Sequence, residues 1–119
     1  MAPRAEPQAM LLRCTEQTLS RLYFGFDTPD GPVTDSAWLT FVQGDITPRV
    51  PSGFTLLAAR GLWRGEDGAS HQEESRVLEV VGRDDAAHRQ ALVEIVARYK
   101  TVFRQESVLV TQSPIRACL

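Results

Sequence analysis

Several things are scarce in this sequence, and each scarcity excludes a class of protein. No apolar run approaches the roughly 20 residues that span a bilayer as a helix, so a helical membrane span is not expected. Basic residues number 13 against 15 acidic ones, a net charge of −2, which argues against a chain whose main work is gripping phosphate backbones. An aromatic-glycine run of the kind that stacks RNA bases is missing too, and no nucleic-acid partner is expected. There is no phosphate loop, Rossmann glycine fingerprint, HExxH motif or CxxC pair, so neither a cofactor nor a metal is expected. Lysine occurs once, at Lys100, leaving twelve arginines. Codon usage in a GC-rich genome would explain that excess, and forked recognition of carboxylates or phosphates would be its functional cause.

What is present is an ordinary globular composition. The 119 residues are 43% hydrophobic and 24% charged, enough for one domain with one two-layer core. Residues 1–13 are rich in Ala, Pro and Arg and carry no periodicity. We expect a flexible leader over 1–17 and a single domain over 18–119. Met10-Leu11-Leu12 is too short for a signal-peptide core, and Arg13 before Cys14 spoils a lipoprotein cleavage site. The compartment stays open: cytoplasmic as the chain stands, or periplasmic or secreted if a signal has been removed.

From residue 19 the pattern is regular. Leu22, Phe24 and Phe26 alternate with Arg21, Tyr23 and Gly25, which predicts a strand. A turn cluster follows from Asp27, then Thr34 or Asp35 as a helix cap, then Trp38, Phe41, Val42 and Ile46 at helical spacing up to Pro48. Residues 54–63 and 75–81 read as two strands joined by a hairpin whose tightest point is Asp67-Gly68. Asp84 or Asp85 caps a second helix over 86–104, with Leu92, Ile95, Val96, Tyr99 and Phe103 as its buried stripe. Residues 107–112 form the last strand, closed by Pro114. The order βαββαβ predicts an α+β, ferredoxin-like fold: a four-stranded antiparallel sheet with both helices on one face.

The other face of that sheet is unusual. A half-solvated sheet should alternate apolar-in with polar-out, yet Leu57, Trp63, Val77, Val81 and Leu109 all fall on the helix-free side. We expect a homodimer burying this face, the alternative being scattered surface apolar residues.

The segments LYFGF, TPRVPSGFT, ARGLWRGEDG, ESRVLEVV and YKTVFRQESVLV carry a resemblance. Over roughly residues 18–112 the chain resembles bacterial domain-of-unknown-function family 3574, often found on exported or lipoprotein-like proteins. Tyr23, Gly25, Arg49, Trp63, Ser75, Tyr99, Gln105 and Ser107 are among the matching positions. The resemblance implies no established activity. Pro48, Pro51 and Gly53 read as a rigid turn, and Gly25 as a bulge or a place of close approach to the backbone.

The candidate chemistry lies on the helix-free face. Arg21 and Tyr23 could bind and polarise a carboxylate or enolate oxygen, with the phenol as acid, and Glu79 could serve as base. An ordinary cross-strand ion pair between Arg21 and Glu79 is the plainer reading. Trp63, Ser75, Arg49 and His71 are candidate ligand-binding residues. His71 lies close to Glu73 and Glu74 but in a hairpin loop where polar residues are expected anyway. His88 reads as a partly exposed helix residue. Arg49, Arg60 and Arg64 would make an anion site only if the fold gathers them.

Two functions compete. One is a small-molecule-binding protein or cofactor-free enzyme of isomerase, cyclase or oxygenase type, with its pocket on the sheet face. The other is a non-catalytic envelope or protein-interaction module. Finally, the topology places the last strand beside the first, which brings Cys14 to Cys118. They are either a disulfide clasping the termini, implying an oxidising compartment, or two free thiols.

Overall fold

A computed structural model describes residues 12–119. The elements run β1 (Cys14–Gly25), β2 (Asp27–Thr28), β3 (Gly31–Pro32), α1 (Asp35–Phe41), β4 (Thr55–Arg64), β5 (Ser70–Gly82), α2 (Ala86–Val102) and β6 (Leu109–Cys118). The four long strands form one antiparallel sheet in the order β4-β5-β1-β6, with both helices on one face. This is the α+β, ferredoxin-like arrangement that the pattern predicts.

The core sits between sheet and helices. Leu22 and Phe24 of β1, Phe26 just beyond it, and Leu78 and Val80 of β5 meet Leu92, Ile95 and Tyr99 of α2 and Trp38 and Phe41 of α1, all buried. Rings meet at its centre: Phe24 lies 4.6 Å from Tyr99 and 5.5 Å from Trp38, centroid to centroid. Such tilted and edge-on contacts add to the burial term. Ser20 is the buried polar residue of this layer, and Gln112 Nε2 donates to its hydroxyl at 2.9 Å.

Local chemistry explains the element ends. Thr34 caps α1, its hydroxyl accepting from the Ala37 amide at 3.1 Å, and Asp85 caps α2 through the His88 amide at 2.8 Å. After Phe41 the chain widens into a π-helical turn over Val42–Ile46. Ile46 follows Phe41 by five positions, close to one π turn, and both side chains are buried. The helix α2 stops in a left-handed residue, Arg104 at φ 55°, and the Gln105 amide then reaches back to the Lys100 carbonyl. That is a Schellman-type cap on a residue other than glycine.

Three strands are longer than their sequence pattern suggests. β1 begins at Cys14, inside the segment assigned to the leader, whose residues 1–11 lie outside the described residues. β5 begins at Ser70 rather than Ser75, and β6 runs through Pro114 to Cys118. The added stretches are largely polar and contain no buried residue, so alternation has little to mark. Pro114 is tolerated because β6 is an edge strand and needs no outward amide. Cys14 and Cys118 are paired in register and joined as a disulfide, the first of the two alternatives. The predicted turn at Asp67-Gly68 holds: Gly68 has φ +79° and Asp67 Oδ1 accepts from the Ala69 amide.

Candidate functional site

The register decides which side chains share the open face. Along β1 it takes Leu19, Arg21, Tyr23 and Gly25; along β5, His71, Glu73, Ser75, Val77, Glu79 and Val81; along β4, Thr55, Leu57, Ala59, Gly61 and Trp63. Arg21 stands directly opposite Glu79, and Tyr23 opposite Val77 and Leu109.

Arg21 Nε donates to Glu79 Oε2 at 2.7 Å, the cross-strand ion pair. The hydrogen bond to Glu79 raises the Arg21 pKa, with the carboxylate's charge next and a smaller contribution from the Tyr23 phenol. The guanidinium is thus held through its Nε by the carboxylate, with Tyr23 two residues along β1 on the same face. Around this group Leu57, Val81 and Leu109 stay exposed, at 44%, 47% and 61%. Trp63 and His71 also come together: their rings stack at 5.5 Å with 18° between planes, and His71 lies 3.4 Å from Asp67.

The candidates do not all converge. His71, Ser75 and Glu79 fall in one row on β5, so His71 and Glu79 are eight residues apart, roughly 26 Å at strand rise. Ser75 lies midway, opposite Gly25 and Ala59. The open face therefore holds two groups, Arg21–Tyr23–Glu79 at its centre and Trp63–His71 near one end. Arg49 joins neither. Its Nη1 donates to the Asp45 carbonyl at 3.0 Å and its Nε to Glu94 at 3.3 Å, while Arg98 holds the same Asp45 at 3.0 Å. These contacts tie the π turn to α2 on the helix side. Arg60 and Arg64 lie on β4.

Three side chains that the sequence named without a role in the site, Glu73, Tyr99 and Gln105, meet at the end of β1. Glu73 reaches over Gly25 and accepts from the Asp27 amide at 2.8 Å; a Cβ on Gly25 would stand 2.7 Å from its Oε2. The close approach expected at Gly25 is therefore made by this carboxylate. Beneath it the buried Tyr99 hydroxyl donates to the Gly25 carbonyl, and burial first, then the Glu73 charge, raises the phenol's pKa. Gln105 Nε2 donates to the Asp27 carbonyl, giving that motif residue a structural part. The glycine was the available signal; its partner, 46 residues or more away, was not readable from a single strand.

Surface clefts lie elsewhere. One of about 500 Å³ sits between Thr15–Thr18 and Arg83–Asp84, and an apolar groove of about 350 Å³ runs between α2 and β6 past Val93, Val96 and Val110. Arg21, Tyr23 and Glu79 line neither. Among the described residues no group of three or more His, Cys, Asp or Glu is gathered as a metal site, and no helix is long and apolar enough to cross a membrane.

Comparison with known proteins gives a fold and a family. No curated protein matches. Among solved structures the chain is similar to a phage SAM lyase in complex with S-methyl-5'-thioadenosine, with a TM-score of 0.61 and 17% identity over 87% of this chain and 88% of that one. A phage SAM lyase in its apo state matches at 0.60 and 18%, over 86% and 87%. At these identities the likeness is one of fold. A family model matches residues 19–119, nearly the whole described domain, and on that match the chain belongs to the family described as protein of unknown function, DUF3574.

Proposed function

We propose that this chain binds a small organic molecule on the open face of its sheet, at Arg21, Tyr23 and Glu79, and transforms it without a cofactor. The carrying observation is the Arg21–Glu79 contact at 2.7 Å beside Tyr23. One edge of the guanidinium is fixed by the carboxylate, which orients its remaining donors for a ligand carboxylate or enolate oxygen. Tyr23 supplies a phenol that donates a hydrogen bond or a proton to the same oxygen, and Glu79 supplies a base on the opposite strand. Proton transfer of this kind suits isomerisation, cyclisation or cofactor-free oxygenation. The exposed Leu57, Val81 and Leu109 supply apolar walls and the surface on which a second copy packs to form a homodimer.

The lyase that shares this fold gives the first probes, SAM and S-methyl-5'-thioadenosine, because one member of the architecture holds a ligand of that size. A panel of small carboxylates completes the set. Calorimetric titration should give saturable binding of at least one probe, weakened at least tenfold by Arg21→Gln. Heat flat across the panel, or affinity unchanged in Arg21→Gln, would discard this reading.

One observation favours the second reading, an interaction module. Arg21 and Glu79 already satisfy one another, and the Arg21 side chain is 44% exposed. Such a pair can serve register alone. If Leu57→Ser separates the copies while no probe binds, the open face serves assembly.

A further inference from the structure

The sheet is longer than its core. β1 pairs with β5 only from Thr18 opposite Gly82 to Gly25 opposite Ser75. The Phe26 amide on the Glu74 carbonyl and the Asp27 amide on the Glu73 carboxylate follow, so Ser70–Gln72 pair only with Leu62–Arg64 of β4. This leaves a two-stranded arm at one corner. Across the diagonal, Cys14–Gln17 pair only with Ile115–Cys118. The molecule extends 68 Å in its longest direction and 25 Å in its shortest, and its radius of gyration is 18.5 Å. A compact domain of this length would have a radius of roughly 13–14 Å. Its accessible surface is 8567 Å². A compact monomer of this mass would expose about 6,400 Å².

The arm does not explain itself. An isolated two-stranded hairpin is marginal in water, yet this one carries Trp63 at 50% exposure and Leu62 at 72%. Nor can Trp63 and His71 serve the central group of their own protomer, from which they stand roughly 26 Å away along β5.

We infer that a second copy of this chain lays its β4–β5 arm across the open face, so that its Trp63–His71 stack becomes one wall of the Arg21–Tyr23–Glu79 site. The role as a site wall rests on the ligand-binding reading above; the exchange of arms does not. Symmetry supports the arrangement. On β5, Ser75 lies midway between His71 and Glu79, so a two-fold axis beside Ser75 sets each copy's His71 over the other's Glu79. Trp63, opposite His71, then covers Glu79 and Thr55 within the ring of Leu57, Val81 and Leu109. Ser75 and Ala59 are small, and beside them the Glu73 carboxylate fills the space above Gly25.

Charge agrees with the same pairing. The arm over residues 60–74 carries Arg60 and Arg64 against Glu66, Asp67, Glu73 and Glu74. The opposite corner carries Arg13, Arg83 and Arg116, which have no ion-pair partner among the described residues, beside Glu16, Asp84 and Asp85, so it is not basic as a whole. The two-fold brings each acidic tip toward the partner's Arg83, an unpaired guanidinium of unlike charge.

The test uses the full chain with p-benzoylphenylalanine placed at Trp63, mixing heavy-isotope and ordinary copies. Irradiation should give a dimer whose mixed-isotope adducts map to Thr55–Leu57, Arg21–Tyr23 or Val77–Val81. Light scattering should give twice the chain mass at micromolar concentration, with the dimer dissociation constant raised at least tenfold by Trp63→Ala. Trp63 is half-exposed, so circular dichroism of that variant should match the parent. A monomer mass, or adducts confined to α1 and α2, overturns the exchange. A dimer with the mapped adducts that binds no probe keeps the exchange and overturns the site wall.

Discussion

The two faces of one sheet are built on opposite plans. On the helix side Phe24 touches Trp38, Phe41 and Tyr99 within 6.1 Å, and the layer is sealed. On the open side, one residue away in sequence, Arg21 and Tyr23 stand among exposed Leu57 and Leu109. The difference separates residues that hold the fold from residues free to do something else. Substitutions should divide accordingly: large losses of stability from the helix side, and small losses with changed binding or assembly from the open side.

The sharpest break of that division is Phe24→Ala. Deleting a fully buried ring leaves a cavity among three other rings, at a cost of about 3–5 kcal/mol. Urea unfolding should show this as a lower midpoint with an unchanged slope. A cost below about 1 kcal/mol would mean that the helices do not seal this face.

The disulfide comes next, because it closes a sequence separation of 104 residues yet sits at the end of a two-stranded corner. Loop entropy alone predicts about 4–5 kcal/mol for a loop of this size. Part of that constraint is local here, holding Cys14–Gln17 against Ile115–Cys118, so Cys14→Ser should cost about 2–4 kcal/mol. Hydrogen exchange should accelerate first in that corner, while the amides of Leu22–Phe24 keep their protection. Mass spectrometry with and without reductant checks the link itself.

How far the sequence could be read follows the same two plans. Wherever one face is buried, alternation or helical spacing marks the element: Leu22-Tyr23-Phe24 for β1, and Leu92, Ile95 and Tyr99 for α2. Wherever both faces are wet the signal disappears, as over Cys14–Gln17 and Ser70–Glu74, although inter-strand hydrogen bonds continue. The π turn was hidden because Trp38, Phe41 and Val42 satisfy an α-helical pattern by themselves. For the candidate site, the sequence could assign Arg21, Tyr23, Trp63, Ser75 and Glu79 to one face, since parity alone decides that. It could not give their distances along the strands, nor show that Arg49 is engaged by Asp45 and Glu94. Both require the register and the path of the connecting turns.

A smaller effect links the faces through Tyr99. Its hydroxyl satisfies the Gly25 carbonyl, so Tyr99→Phe strands that acceptor and should cost about 1–2 kcal/mol at neutral pH. The phenol's folded pKa is raised above its ordinary 10.0 by burial and by Glu73. A raised folded value contributes stability that is complete below pH 10 and is lost as pH climbs above it. The parent should therefore lose stability on alkalinisation beyond pH 10 while Tyr99→Phe, lacking the phenol, does not share that loss. The gap between the two unfolding curves should narrow as pH rises, and a gap that widens would reverse the assignment.

The smallest effect on stability is expected at Arg21. Its guanidinium is solvent-accessible and its partner Glu79 is only partly covered, so solvent screens their attraction and the pair contributes little to folding. Arg21→Gln keeps a hydrogen-bonding side chain of similar length on β1 and removes the charge. Its thermal midpoint should stay within the error of the parent, and Tyr23→Phe should do the same. Binding should behave differently, because a guanidinium held by one edge offers two parallel donors to a carboxylate and an amide cannot reproduce that fork. Calorimetric affinity for a responding probe should fall at least tenfold in Arg21→Gln and by less in Tyr23→Phe, which loses one neutral donor. Should Arg21→Gln instead lower the midpoint by several degrees, the ion pair would be holding β1 against β5, and the open face would be structural in the way the helix side is.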